Sequence, residues 1–297
     1  MPQGPGATSS AARSAAKREA RAALDLLERS RASSVKAALY DPPPGGGPRD
    51  VLRELHAFAR FERAGVRATI TQESCEAPGW DAALEGWMFD LTKANMQALY
   101  LAAPDWGWSD RKKRSELFTP DMRFFVARDT DTGERLGFVA WTCLLEEDYD
   151  TCYVFELHLE ARVQRKGLGR HLMLMVELAA RKIGMQWCVC VCERACGACL
   201  RVARACVGEG AGSPLQPLPP LPAHCTRRPA HHRVFLTVLK SNRSAYEFYM
   251  SRLKYNLSDL TPSRSGIEAS HDILCKCVDA KGWTARSAVL ETLEVPH

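Results

Sequence analysis

Tyr153-Val154-Phe155-Glu156-Leu157-His158-Leu159 runs, after four residues, into Gln164-Arg165-Lys166-Gly167-Leu168-Gly169-Arg170 and then into an apolar stretch that ends near Ile183. The first segment is rich in β formers and is read as a strand. From Gly169 to Ile183, Leu172, Met173, Met175, Val176, Leu178 and Ala179 recur at helical spacing, which predicts a helix with one apolar face. Glycines between them let the loop turn tightly and bring backbone N–H groups close to a ligand. The helix start adds unpaired N–H groups and the positive end of its dipole. Arg165, Lys166 and Arg170 add charge. Strand, loop and helix in this order predict a pyrophosphate cradle, although a Gly-x-Gly before a helix is also common in βα turns that bind nothing.

Upstream, Leu84, Met88, Leu91, Asn95 and Leu99 are three or four residues apart and predict a helix from Asp81 to Leu101. Asp105-Trp106-Gly107-Trp108 interrupts it, and a short charged helix is expected from Asp110 to Phe118. Arg123 to Arg128 and Leu136 to Leu145 read as strands joined by the Asp/Gly turn at 129–134. Downstream, Val234 to Leu239 reads as a buried strand and Ser244 to Leu253 as a helix. A helix crossing between the Tyr153 and Val234 strands makes parallel pairing the expectation for them.

The whole chain sets the limits. Its 297 residues, 46% hydrophobic and 25% charged, suffice for a sizeable core without disulfides. No apolar run approaches the roughly 18 residues of a membrane span, and the N-terminus lacks the apolar core of a secretory signal. The expectation is a non-secreted protein without membrane association, its 12 cysteines held as thiols. A net charge of +5 does not by itself argue for nucleic-acid binding. The organisation expected is a basic Ala/Arg/Pro-rich arm over 1–50, partly disordered; a folded domain over 51–280, interrupted at 187–232; and a tail over 281–297. Residues 1–36 hold seven Lys/Arg against three Asp/Glu. That suits a solvated arm, a nuclear or nucleic-acid-associated arm, or a transit peptide.

The Gln-x-x-Gly-x-Gly loop after the Tyr153 strand, followed later by Asn242, Ala245, Phe248 and Tyr249, resembles the acetyl-CoA site of the GCN5-related N-acetyltransferase (GNAT) superfamily. Within it, Trp87 to Gln97, Asp105 to Trp108, Phe155 to Glu160 with Arg165 to Gly169, and Leu236 to Asn242 resemble the D-type N-alpha-acetyltransferases (NatD). The likeness covers about residues 80–186 and 233–275. It implies an α/β GNAT fold, a mixed splayed central sheet flanked by helices, with an N-terminal helical arm. Acetyl-CoA is the implied cosubstrate. Gln164 to Arg170 would hold its pyrophosphate, the backbone at Leu157, His158 and Leu159 its pantetheine arm, and Asn242 the pantetheine side. The implied reaction is acetylation of the free N-terminal α-amine of histone H4 and the 2A-type histone, which begin Ser-Gly-Arg-Gly. Histone tails are the implied partners of a monomer in nucleus and cytoplasm.

The chemistry reads consistently with this. An α-amine has a reference pKa near 8 and must lose a proton before attacking a thioester. Glu156 is the candidate general base, or else a salt-bridged strand residue. Tyr100 would orient the peptide N-terminus or pack in the core. Tyr249 would protonate the departing thiolate or serve as a buried aromatic. Trp106 and Trp108 would wall the peptide pocket, or merely pack. Thr237, Phe155 and His271 are further substrate-contact candidates. The acidic stretch Glu146, Glu147, Asp148 and Asp150 would draw an Arg at the third substrate residue, Glu146 above all, or form a solvated turn. Three positions depart from the family pattern: Phe155 and His271 where Tyr is usual, and Leu144 where an Asp would meet the substrate Arg. They bear on selectivity more than on reaction type.

Seven cysteines fall in 187–232: Cys188, Cys190, Cys192, Cys196, Cys199, Cys206 and Cys225. One Cys-x2-Cys pair with His224, His231 and His232 allows a zinc reading, but the second well-separated pair is missing, so no metal site is expected. A disordered insertion and translated noncoding sequence suit the composition better. Alternatives to histone acetylation are a GNAT acting on another protein N-terminus or a small amine, and an acyl-CoA-binding pseudoenzyme. No Cys-His or Ser-His-Asp grouping offers a different nucleophile.

Overall fold

The structure, a computed structural model, describes residues 35–41, 46–146, 149–183 and 233–278, together with residues 18, 21, 29, 32–33, 190–191 and 226–227. The expectations for most of the 1–50 arm, nearly all of the 187–232 insertion and the 281–297 tail lie outside the described residues.

Ten strands are described: β1 (Arg60–Arg63), β2 (Val66–Glu73), β3 (Arg123–Asp129), β4 (Arg135–Glu146), β5 (Tyr149–Leu159), β6 (Cys190–Val191), β7 (Thr226–Arg227), β8 (Arg233–Leu239), β9 (Asn256–Leu257) and β10 (His271–Cys277). β6 and β7 pair only with each other and belong to a separate unit. The other eight form one sheet in the order β1-β2-β3-β4-β5-β8-β10-β9. Neighbours are antiparallel except β5 and β8, which run parallel as the crossover helix between them requires. This mixed sheet with flanking helices is the GNAT fold. The hairpin β1–β2 turns at Ala64 and Gly65, both at positive φ (51° and 71°). Val66, Ala68 and Ile70 alternate inward along β2.

Helix α1 (Ala82–Ala102) starts where the Asp81 carboxylate accepts from the Ala83 N–H at 2.8 Å. Leu84, Met88 and Leu91 bury against Phe124, Val126, Phe138 and Ala140 of the sheet. The same stripe continues through Asn95 and Leu99, but there it lines a cavity instead of the core. Helix α2 (Asp110–Leu117) is capped by Ser109 and anchored by buried Leu117. Helix α3 (Leu168–Ile183) covers the opposite face; Leu172, Met173, Met175, Val176 and Ala179 are fully buried. Phe124, Phe125, Val126 and Ala127 of β3 are fully buried too, as a strand sandwiched on both faces must be.

Two expectations are corrected. The packed domain begins before residue 51: Ala38 and Leu39 are buried, and the Arg123 guanidinium, itself buried, donates to the Leu39 carbonyl at 2.7 Å. An Arg in the core needs carbonyls around it, and this segment supplies one. The helix expected from Ser244 to Leu253 is α-helical only as α4 (Arg243–Glu247). Phe248–Arg252 widens into a π-turn closed by the Leu253 N–H to the Phe248 carbonyl at 3.0 Å. Such turns re-aim side chains where they occur, and Tyr249 lies in this one.

Candidate active site

The parallel pairing of β5 and β8 runs from Thr151↔Arg233 to Val154↔Leu236 and stops. Past that point β5 stays paired with β4 as far as Leu159, and β8 with β10 as far as Leu239. The strands therefore splay, and a cavity of about 1250 Å³ opens between them. A bulge marks the start of the splay: Ala140 faces Glu156 and Trp141 faces Val154, so Phe155 is the extra residue. The bend turns Phe155 outward, 40% exposed and packed on Tyr153, and Glu156 inward, 8% exposed.

One half of the cavity is the loop 164–170. The Gln164 side-chain amide donates to the Leu159 carbonyl at 3.0 Å, so it ties the loop to the strand end. Arg165 (φ 65°) and Gly167 (φ 99°) take left-handed backbone. At Gly167 a side chain is strained whatever the space. Leu168 is fully buried and plants the helix start. A Cβ on Gly169 would come within 3.3 Å of Leu159 Cδ1, so the helix lies close against the strand. The His171 N–H bonds the Gly167 carbonyl and begins the helical ladder, which leaves the N–H groups of Leu168, Gly169 and Arg170 ahead of it. Arg165, Lys166 and Arg170 surround the loop, and Arg63 of β1 reaches over Gly167. None of these four cations forms an ion pair among the described residues, an arrangement that suits a multiply charged anion. Asn242 sits across the cavity and caps α4, accepting from the Ala245 N–H at 3.2 Å.

The other half is built around Glu156. Its Oε2 accepts from His158 Nε2 at 2.8 Å and its Oε1 from Lys113 Nζ at 3.2 Å. An ionised carboxylate only accepts, so His158 Nε2 carries a proton toward Glu156, while Nδ1 faces the Asn95 amide at 3.4 Å. Burial opposes the charge on Glu156, but His158 and Lys113 outweigh it and hold the carboxyl below its ordinary range. Burial likewise opposes the Lys113 ammonium, yet Glu156, Tyr100 and Glu116 keep it above the usual lysine value. Tyr100 is buried 4.7 Å from Lys113, ring centre to Nζ; burial and the charge of Glu156 push its phenol up to about 12. Trp106 packs on Tyr100 and its indole N–H donates to His271 Nδ1 at 3.3 Å. Asp105 accepts from the Ser270 N–H at 2.9 Å, which ties the α1–α2 turn to the start of β10. Tyr153 and Thr237 join their hydroxyls across the splay. Tyr249 lies at the cavity wall, its phenol raised by burial and by Glu156.

The structure thus brings Glu156, Tyr100, Tyr249, Trp106, Thr237, Phe155 and the backbone of Leu157 to Leu159 to one cavity, together with Gln164 to Gly167, Gly169, Arg170 and Asn242. His271 stands behind Trp106. Leu168 serves as an anchor through its side chain, and His158 as a carboxylate partner in addition to its backbone. Trp108 does not wall the cavity: it packs behind Tyr100 and donates to Asp110 at 2.6 Å. The side chains of Glu146 and Asp150, and Glu147 and Asp148 altogether, lie outside the described residues. Lys113, Asn95 and Arg63 escape a reading of the sequence. No short spacing ties them to the motif; the β2-like alternation after Gly65 is the one local signal that would have brought Arg63 to a hairpin.

Residues 90–206 match the model of the acetyltransferase (GNAT) family. Among solved structures, the chain is similar to NAA60 of Arabidopsis thaliana in complex with a bisubstrate analogue (11% identity, covering 71% of this chain and 100% of that one, TM-score 0.40). It is similar also to the PaiA N-acetyltransferase of Thermoplasma acidophilum in complex with coenzyme A (14%, 71% and 98%, TM-score 0.39) and to Ard1 of Thermoplasma volcanium (12%, 71% and 98%, TM-score 0.39). These distant likenesses say nothing about the acceptor. The residues present fit acetyl-CoA: a glycine cradle at a helix start, four cations without carboxylate partners among the described residues, and a strand edge left open beyond Val154. Over residues 90–206 the chain is thus similar to the acetyltransferase (GNAT) family, and its cavity fits that family's cosubstrate, acetyl-CoA.

Proposed function

We propose that the protein acetylates the free N-terminal α-amine of proteins beginning Ser-Gly-Arg-Gly, as histone H4 and the 2A-type histone do. The observation that carries this reading is that one cavity joins the phosphate loop to a buried carboxylate, Glu156, flanked by Tyr100 and Trp106. The sequence blocks that resemble NatD all lie along it. Acetyl-CoA supplies an acyl group activated as a thioester. The open edge at Leu157 and Leu159 takes the extended arm as an added strand. An α-amine with reference pKa near 8 arrives largely protonated, and Glu156 accepts its proton, directly or through one water. Tyr249, its pKa raised, keeps its phenolic proton at neutral pH and can hand it to the departing sulfur. Thr237, Phe155 and Trp106 contact the first residues of the peptide, His271 supports Trp106 from behind, and Glu146 draws the Arg. The partners are then histone tails, met by a monomer in nucleus and cytoplasm without nucleic acid or membrane.

A second reading, action on other protein N-termini or small amines, is favoured by Phe155, whose exposed ring offers a substrate no hydrogen bond. The test is mass spectrometry after incubation with acetyl-CoA and a panel: Ser-Gly-Arg-Gly peptides, peptides with other first residues, N-blocked peptides with a free lysine, and polyamines. Fast α-acetylation of Ser-Gly-Arg-Gly is expected. Transfer to lysine or polyamine alone overturns the proposal.

A further inference from the structure

Lys113 fills the place an acceptor amine needs. It lies on α2, whose Asp110-Arg111-Lys112-Lys113-Arg114 reads as a solvated charged face, yet its side chain is only 12% exposed. Its ammonium stands 3.2 Å from Glu156 Oε1 and 4.7 Å from the centre of the Tyr100 ring. Both partners line the cavity. The other oxygen of Glu156 is held by His158. A carboxylate on one side and an aromatic face on the other form a box suited to a primary ammonium. A third neighbour, Glu116 Oε2, lies 3.2 Å from the same nitrogen and is 41% exposed, toward solvent.

We propose that Lys113 is a resident substitute for the acceptor: its ammonium occupies the Glu156–Tyr100 box until the acceptor's amino group displaces it toward Glu116. This rests on the reading of an amine acceptor. Glu156 is buried, and a buried carboxylate without a cation is strongly disfavoured, so something must neutralise it between turnovers. Two ammonium groups cannot share one box, so Lys113 has to leave as the acceptor enters. Glu116 receives it, and its departure also removes the cation that weakens Glu156 as a base. An acceptor that lacks a free amine has nothing to exchange for Lys113, so the contact selects for unacetylated ends.

Calorimetry on the full chain saturated with coenzyme A tests this, with a Ser-Gly-Arg-Gly peptide as probe in free and N-acetylated forms. Lys113→Met is expected to bind the free peptide about tenfold tighter than wild type, on the order of 1.4 kcal/mol. The acetylated peptide should bind both alike, and Lys113→Arg should behave as wild type. A merely structural role would move both peptides together. Unchanged or weaker free-peptide binding by Lys113→Met overturns the proposal, as does absence of binding to either protein. If Lys113→Met lowers the melting temperature, Glu116→Gln decides: without the retreat position the free peptide binds severalfold weaker and the acetylated one as before, and unchanged binding refutes the exchange. Failure of the amine reading itself looks different, since wild type would then acetylate no amine at all.

Discussion

The two halves of the cavity are built in different ways. The half that holds acetyl-CoA is contiguous: Leu157 to Arg170 supplies the strand edge, the left-handed turn, the glycine cradle and most of the cations. The acceptor half is assembled from afar. Lys113 and Glu156 are 43 residues apart, Tyr153 and Thr237 are 84 apart, and Trp106 and His271 are 165 apart. The cofactor half depends on backbone shape, which few substitutions can satisfy. The acceptor half depends on side chains delivered by five separate elements, each of which can change alone. Phe155 and His271, which depart from the pattern the resemblance implies, both belong to the second kind. Selectivity can drift in such a design while the chemistry stays.

This contrast can be broken first at Gly167. Gly167→Asp places a side chain at φ 99° and a negative charge where backbone must approach phosphate, so acetyl-CoA binding should fall below detection by calorimetry. Unchanged affinity would mean that the loop is not the cradle. Glu156→Gln should do the converse: acetyl-CoA affinity nearly unchanged, kcat down by about 10²–10⁴-fold. Wild-type turnover in steady-state assays would place the base elsewhere.

Acid should separate the halves more gently. His171 of α3, whose Nε2–H donates to the Phe58 carbonyl at 2.8 Å, is held below the ordinary value of 6.5 by burial. The unfolded chain takes up this proton before the folded one does, so the stability it provides is full above pH 6.5 and is lost as pH falls through the folded value. Glu156 follows the same sign from a lower starting point: its folded pKa lies below 4.5, so its contribution is full above that pH and fades only beneath it. Melting temperatures from about pH 7 to pH 3 should therefore show an early decline that His171→Gln flattens and a late one that Glu156→Gln flattens. A single late decline in His171→Gln and wild type alike would contradict this. The smallest effect expected is from removing residues 188–231, between the end of α3 and the start of β8: acetyl-CoA affinity and kcat should not change. The closure entropy of a connection grows only slowly with length, so a shorter one suffices. Loss of folding together with stoichiometric zinc in the intact protein would show that the segment is structural.

The same contrast explains what could be read from the amino-acid sequence. The strand–loop–helix and the apolar stripe of α1 are periodic and local, and they appear where periodicity puts them. Parallel pairing of β5 and β8 follows from the crossover between them. The bulge at Phe155 is not legible, since an extra residue leaves no mark in a run of β formers. The π-turn at Phe248–Arg252 has the composition of an ordinary helix, so the aim of Tyr249 is hidden too. Lys113 sits in a run of charges that looks solvated until Glu156 and Tyr100 are folded against it.

The account's central claim is that the two halves meet at Glu156. A crystal structure with coenzyme A joined covalently to the α-nitrogen of a Ser-Gly-Arg-Gly peptide tests it most directly. The account predicts pyrophosphate on the N–H groups of Gly167 to Arg170, the linked nitrogen against Glu156 and Tyr100, and Lys113 turned to Glu116. Pyrophosphate away from that loop, or a linked nitrogen remote from Glu156, would contradict it.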